Sequence, residues 1–308
     1  MEAGMTPKPT ESPLDVEAML DQLSNWSRWG KQDERGALNL ITPRKRVEAA
    51  ALVREGAAIS LSRDAIKTAE DDSPPFQHAM VETGWNNEIS SSDIFSVRYH
   101  GFTVTHLDAL CHVFHRGLMY NGYSQREVTE QGAGKLAVAR VKDGLFTRAV
   151  LMDIPRLRAV PYLEGGDRIL PSDLDACECA SGVEVRPGDA LVIRTGRWAR
   201  RAAVGSWPIM QDSAGLHYSC MPWLRERDIS VLMSDLASDV MPSGVTGVIL
   251  PVHLIAIVGL GVHIVDNCDL EALAAVAAAR ERWEFLLMAA PLAVEGGTGS
   301  PINPVAIL

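Results

Sequence analysis

No apolar run in this sequence is long enough to cross a bilayer. The longest candidate, Val245 to Leu260, is broken by Gly247, Pro251, His253 and Gly259, and a spanning helix needs about 20 apolar residues in a row. The start, MEAGMTPKPTESPLD, has neither the basic cluster nor the apolar run of a signal peptide. Cysteine is scarce, with five in 308 residues. Cys177 and Cys179 stand one residue apart, too close for a zinc knuckle. Free thiols in a reducing, cytoplasmic compartment are expected. An excess of basic charge is also missing: 29 Lys and Arg against 39 Asp and Glu give a net charge of -10. That argues against the concentrated basic surface a phosphate backbone requires. Neither nucleic acid nor membrane is an expected partner. Nucleotide fingerprints are absent as well, because GGTGS (296–300) lacks the lysine and following helix of a phosphate loop.

What is present suits a soluble globular protein, 47% hydrophobic and 22% charged. Residues 1–14, rich in Pro, Thr, Ser and Glu, read as a mobile arm, and 15–308 as a single domain. Short apolar runs at 57–64, 148–155, 189–196, 229–236, 261–267 and 285–294 have the length and pattern of strands. Between them lie helix candidates at 15–26, 43–56, 172–180 (capped by Ser172), 220–227 and 270–279. This alternation makes the chain α/β, with a mixed central sheet and flanking helices. Residues 65–95 form a long polar loop around Asp71-Asp72-Ser73-Pro74-Pro75, and loops of that length are often functional.

The stretch HGFTVTHLDALCHVFH (100–115) holds four of the eight histidines. It alternates as a strand would, which places His106 and Asp108 on one face. An imidazole and a carboxylate so placed make half of a metal site. His112, four residues on, suits a general acid/base or a further ligand. A lone histidine would read as core; four in sixteen residues, with Asp108 in phase, favour chemistry. The second half of a site is expected from LPVHLIAIVGLGVHIVDNCDLEAL (250–273), where His253 and Asp266 sit among apolar residues that make an unpaired polar group expensive. The competing structural roles are a backbone hydrogen bond for His253 and a helix cap for Asp266, although Asp269 is the better placed cap. His263 alternates away from Asp266. His217, in SAGLHYSCMPWL, is a further acid/base candidate or a helix-start decoration. Asp235 and Asp239 read as solvated loop carboxylates.

The segment FTVTHLDALCH (102–112) resembles the His-x-Gly-Thr-His-x-Asp-x-Pro-x-His motif of the cyclase family, which includes bacterial kynurenine formamidases and isatin hydrolases. ISLSRD, the His253 to Asp266 segment and the closing PLAVEGGTGSPINPVAIL extend the resemblance over residues 57–308. It implies a swivelling β/β/α-type single domain that forms a homo-oligomer, dimer or tetramer, with a zinc or manganese site. On that resemblance His106, Asp108 and His253 are ligands, with Asp108 placed to bridge two ions, Asp266 stands near a family Glu or Gln position, and His112 is the acid/base. The chain departs from the motif at Phe102, Val104 and Leu110, which replace the first histidine, the glycine and the proline. Phenylalanine cannot ligate, so the metal set loses a donor unless His100, two residues away, moves in. With one ion, His106, Asp108, His253 and Asp266 still offer three or four donors.

The expected activity is hydrolysis of a C–N or C–O bond in a small carbonyl compound, an amide, cyclic amide or lactone, by a water that the ion activates. Trp26, Trp29, Trp85 and Phe102 are candidates for an aromatic wall. One alternative is a cyclase, dehydratase or isomerase that uses His112, His217 and Asp108 for proton transfer with weak or no metal. The other is a non-catalytic binding protein for a small molecule.

Overall fold

A computed structural model describes residues 12–70 and 74–308 of the chain. Nine strands form one mixed sheet in the order Ala58–Ser60, Val305–Ile307, Glu284–Ala289, Leu145–Asp153, Ala190–Arg194, Val231–Ser234, His263–Asp266, His106–Asp108, Gly299–Pro301. The four strands from Leu145–Asp153 to His263–Asp266 are parallel neighbours, and the outer strands join antiparallel. Parallel strands are normally covered on both faces and read as continuous apolar runs. Those of Ala190–Arg194 and Val231–Ser234 are buried at every position.

Helices cover the sheet where the sequence signals them. Pro43–Ala50 starts as expected, with Thr42 accepting from the Lys45 backbone and Pro43 in the first turn. Pro171–Ser181 does not use Ser172 as its cap. Ser172 lies inside the helix, and the Asp173 carboxylate accepts from the Leu170 N–H instead. The first helix, Pro13–Leu23, begins inside the segment expected to be an arm. Residues 1–11, the rest of that arm, lie outside the described residues, as do Asp71, Asp72 and Ser73.

Two other expectations change. The strand read within residues 100–115 is confined to His106–Asp108, while 100–105 is irregular. The polar loop read across 65–95 carries a separate two-stranded hairpin, Gln77–Glu82 with Ser92–Ser96. Among the described residues no helix is long and apolar enough to cross a membrane.

For the site, the consequence is positional. Ligands of open α/β sheets collect beyond the carboxyl ends of the parallel strands. Here those ends lead into Thr195 to Arg197, Asp235 to Asp239, and Asp266 to Asn267.

Candidate metal centre

Sheet register brings the two halves of the site together. The His106–Asp108 strand lies between His263–Asp266 and Gly299–Pro301, with His106 opposite Asp266 and Asp108 opposite Ile264. Directly paired residues share a face and stand about 5 Å apart. His106 and Asp266, remote in sequence, are therefore neighbours.

Asp108 is the hub. Its Oδ1 lies 2.8 Å from His100 Nδ1 and 3.5 Å from His106 Nε2, and its Oδ2 lies 3.7 Å from His253 Nε2 and 4.0 Å from His112 Nε2. Two sets of donor atoms converge within 4.8 Å of one another: His106, Asp108 and Asp266, all buried, and His100, Asp108 and His112, of which only Asp108 is buried. His253 stands beside the first set, with Nε2 3.2 Å from Asp266 Oδ2. Nitrogen and oxygen donors of this kind suit a divalent ion such as zinc or manganese, so the residues present fit a metal. The side chains of His106, Asp108, His253 and Asp266 are 2 to 6% exposed, whereas His112 is 30% exposed and faces the open side.

His253 owes its orientation to a residue read from sequence as a solvated carboxylate. Asp239 is fully buried; its Oδ2 lies 2.6 Å from His253 Nδ1 and accepts the His253 N–H, while Oδ1 accepts the Val252 N–H. A carboxylate on Nδ1 aims Nε2 at the hub, as orienting partners of metal-bound histidines do. His253 begins its own aiming from a short helix, Pro251–His253, that continues as a π-helix through Leu254–Leu260. Such widened turns occur often at functional sites. Asp235, also fully buried, serves the backbone instead. It accepts from the N–H groups of Thr195, Gly196 and Arg197 and from Thr195 Oγ1.

Two residues in left-handed backbone conformation complete the frame, a geometry that costs energy for any side chain beyond glycine and tends to mark functional positions. Ser238 (φ 56) donates its hydroxyl to Asp266 Oδ1 at 2.9 Å. Asn267 (φ 59) donates to the carbonyls of Gly101 and Val104, and its own carbonyl accepts from Thr105 Oγ1 at 2.8 Å. Arg197, buried, donates to Asn267 Oδ1 and to the Phe102 carbonyl.

Electrostatics follow from this crowding. Burial works against the Asp108 carboxylate, yet the His100 hydrogen bond and the surrounding imidazoles hold its pKa far below the usual range. Burial likewise opposes a charged His253, but Asp266 and Asp239 flank both nitrogens and raise its pKa well above 6.5. Burial drives His112 the other way, down to about 4, with Asp108 pulling upward and the neighbouring imidazoles adding to the fall. In the absence of metal, then, His253 holds a proton and His112 does not.

The four expected ligands and His112 lie together. His217 lies outside both converging sets; its Nδ1 is 2.8 Å from Ser219 Oγ at the start of a short 3-10 turn. It adjoins Leu216, which bridges to Asp239. Of the aromatic candidates, Phe102 packs against Trp207, Ile209, Leu236 and Ala237. Trp26 and Trp29 pack on the main core, and Trp85 is fully exposed on the hairpin. Sequence reading missed Asp239, Ser238, Asn267 and Arg197. One signal could have found Asp239: a buried ligand histidine needs an acceptor on its second nitrogen.

A family model described as "Putative cyclase" matches residues 59–239. The chain belongs to this cyclase family. The solved structure of a novel cyclase superposes with a TM-score of 0.83 at 31% identity, covering 94% of this chain and 99% of that one. More distant structures share the fold. Isatin hydrolase A from Ralstonia solanacearum has a TM-score of 0.58 at 18% identity, with 84% of this chain and 93% of that one covered. An isatin hydrolase bound to the product analogue thioisatinate has a TM-score of 0.58 at 16% identity, with 87% and 99% covered. No curated protein matches the sequence. In this cyclase-family chain, His253 and Asp266 lie past the matched span, and the fold brings them back to the motif.

Proposed function

We propose that this chain is a cytoplasmic metal-dependent hydrolase acting on a C–N or C–O bond of a small carbonyl compound. The observation that carries the reading is the convergence of His253 Nε2 on Asp108 and Asp266, at 3.7 and 3.2 Å, from a segment far along the chain. His106, Asp108, His253 and Asp266 would hold the ion. When bound, a divalent ion supplies Lewis acidity that polarises a carbonyl and acidifies water. His112 does the proton work. Neutral and half-open to solvent, it takes a proton from the attacking water and, as an imidazolium of low pKa, returns it to the leaving nitrogen or oxygen. Asp239 keeps the His253 ring in one orientation throughout, and Ser238 does the same for the Asp266 carboxylate.

The test is turnover of N-formyl arylamines, cyclic amides and lactones before and after chelation, with products weighed by mass spectrometry. Hydrolysis adds one water, and activity should vanish with the metal. Undiminished turnover by metal-free protein would falsify this reading. A second reading is favoured by Phe102 at the first motif histidine: cyclisation, dehydration or isomerisation by His112 and Asp108 alone. It predicts a product that gains no water and activity that survives chelation.

A further inference from the structure

A second recess opens on the same sheet, away from the metal centre. Three strands along from His263–Asp266, about 14 Å at the usual strand spacing, a cavity of about 550 Å³ lies beside the end of Leu145–Asp153. That volume falls in the range of small-molecule sites. None of its lining residues belongs to either converging set of donors. Its depth is apolar, from the buried Leu151 and Cys177, and Trp283 forms one wall.

Two opposite charges meet in this recess, and neither is fully answered. Asp153 is buried, and its Oδ1 accepts from Arg194 Nη1 at 2.7 Å and from the Arg156 backbone N–H at 3.3 Å. Its Oδ2 accepts no hydrogen bond among the described residues, and Asp153 lines the cavity. An enclosed carboxylate oxygen without a donor is costly. Three residues on, Arg156 lays its guanidinium over the Trp283 indole, 5.4 Å from the centroid. No carboxylate pairs with it among the described residues. Its neighbours differ: Arg158 is held by Asp173, and Arg194 by Asp153 and Glu271. Glu281 adds a further carboxylate at the exposed rim.

These groups suit recognition, not covalent chemistry. No histidine lines the cavity, and burial, with Asp153 adding to it, pushes the Cys177 thiol up to about 12, so it stays protonated and inert. We infer that the cavity binds a small amino carboxylate with an apolar or aromatic side chain. The ammonium donates to Asp153 Oδ2, and the carboxylate meets Arg156. The side chain lies on Leu151, Cys177 and Trp283. Stacking on the indole holds the guanidinium plane ready for two-pronged pairing with a carboxylate. A simple anion or a simple amine would answer one of the two charges and leave the other open, so the zwitterion is the better fit.

Isothermal titration calorimetry of the purified chain with L-phenylalanine tests this. Phenethylamine, which lacks the carboxylate, and hydrocinnamate, which lacks the ammonium, are the comparison probes. Phenylalanine should bind saturably at one equivalent, and each truncated probe should bind about 10-fold or more weakly, the loss of one charge-assisted hydrogen bond. Arg156→Gln, a change at an exposed residue, should bind phenylalanine no better than phenethylamine while keeping the native circular dichroism. His106→Ala should bind phenylalanine as the native chain does, because the metal centre takes no part. Four results would overturn the inference: no saturation by millimolar phenylalanine, equal affinity for all three probes, undiminished binding by Arg156→Gln, or loss of binding in His106→Ala. The last would place the phenylalanine at the metal centre.

Discussion

His253 and His263 lie in one segment and are equally buried, yet they prefer opposite charge states. His253 lies between Asp239 and Asp266, and its pKa rises well above 6.5. His263 begins the strand that ends in Asp266, on the other face. Its Nδ1 has no partner among the described residues, and burial drives its pKa down to about 3. Burial alone therefore says little about what a histidine is for. The difference is made by the carboxylates that its backbone position brings within reach. The same lesson holds for Asp235 and Asp239, both fully enclosed. One fastens a turn and the other aims a ligand.

The largest effect that would sharpen the contrast is at the hub. Asp108→Ala should abolish stoichiometric metal, read by elemental analysis, and turnover with it. That loss should exceed the roughly 10–100-fold expected for an orienting partner. Retained metal would place the ion elsewhere. Next come the paired carboxylates. Asp239→Asn should weaken metal binding by about 10–100-fold, read by competition with a chelating dye. Asp235→Asn should leave that affinity nearly unchanged while costing about 1–3 kcal/mol of stability, read by urea unfolding. Equal weakening by both would erase the distinction drawn between them.

The smallest effect is on pH dependence. In metal-free protein the native His253 holds its proton above pH 6.5. Its contribution to stability is complete below about 6.5, the unfolded value, and is lost as pH rises through the raised native value. The sign reverses for His263. The unfolded chain takes up that proton first, so stability is complete above about 6.5 and is lost as pH falls toward about 3. His263→Leu should flatten this acid limb, by up to about 1.4 kcal/mol per pH unit. An unchanged slope between pH 6 and 4 would mean another group carries it.

Much of the architecture was legible because strand and helix periodicity are local signals. The six main apolar runs all carry strands, and Thr42 caps its helix as its chemistry suggests. Short edge strands such as Gly299–Pro301 and Val305–Ile307 carried too few residues for a period to show. In the site, His106 and Asp108 could be phased because they share a strand. His100 could only be named as a replacement, since an irregular loop rather than strand alternation brings it in. Asp239 was misread because a carboxylate in a Met-rich, Ser-rich stretch looks solvated until a histidine from another segment arrives beside it. Register between distant strands decides such meetings, and no local pattern encodes it.

Anomalous diffraction from crystals of the zinc- or manganese-loaded protein, collected at the absorption edge of the metal, asks most directly whether these side chains hold an ion. The account predicts a strong peak about 2.0–2.3 Å from donor atoms of His106, Asp108, His253 and Asp266. A loaded crystal with no peak there, or with its only peak beyond reach of Asp108, would contradict it.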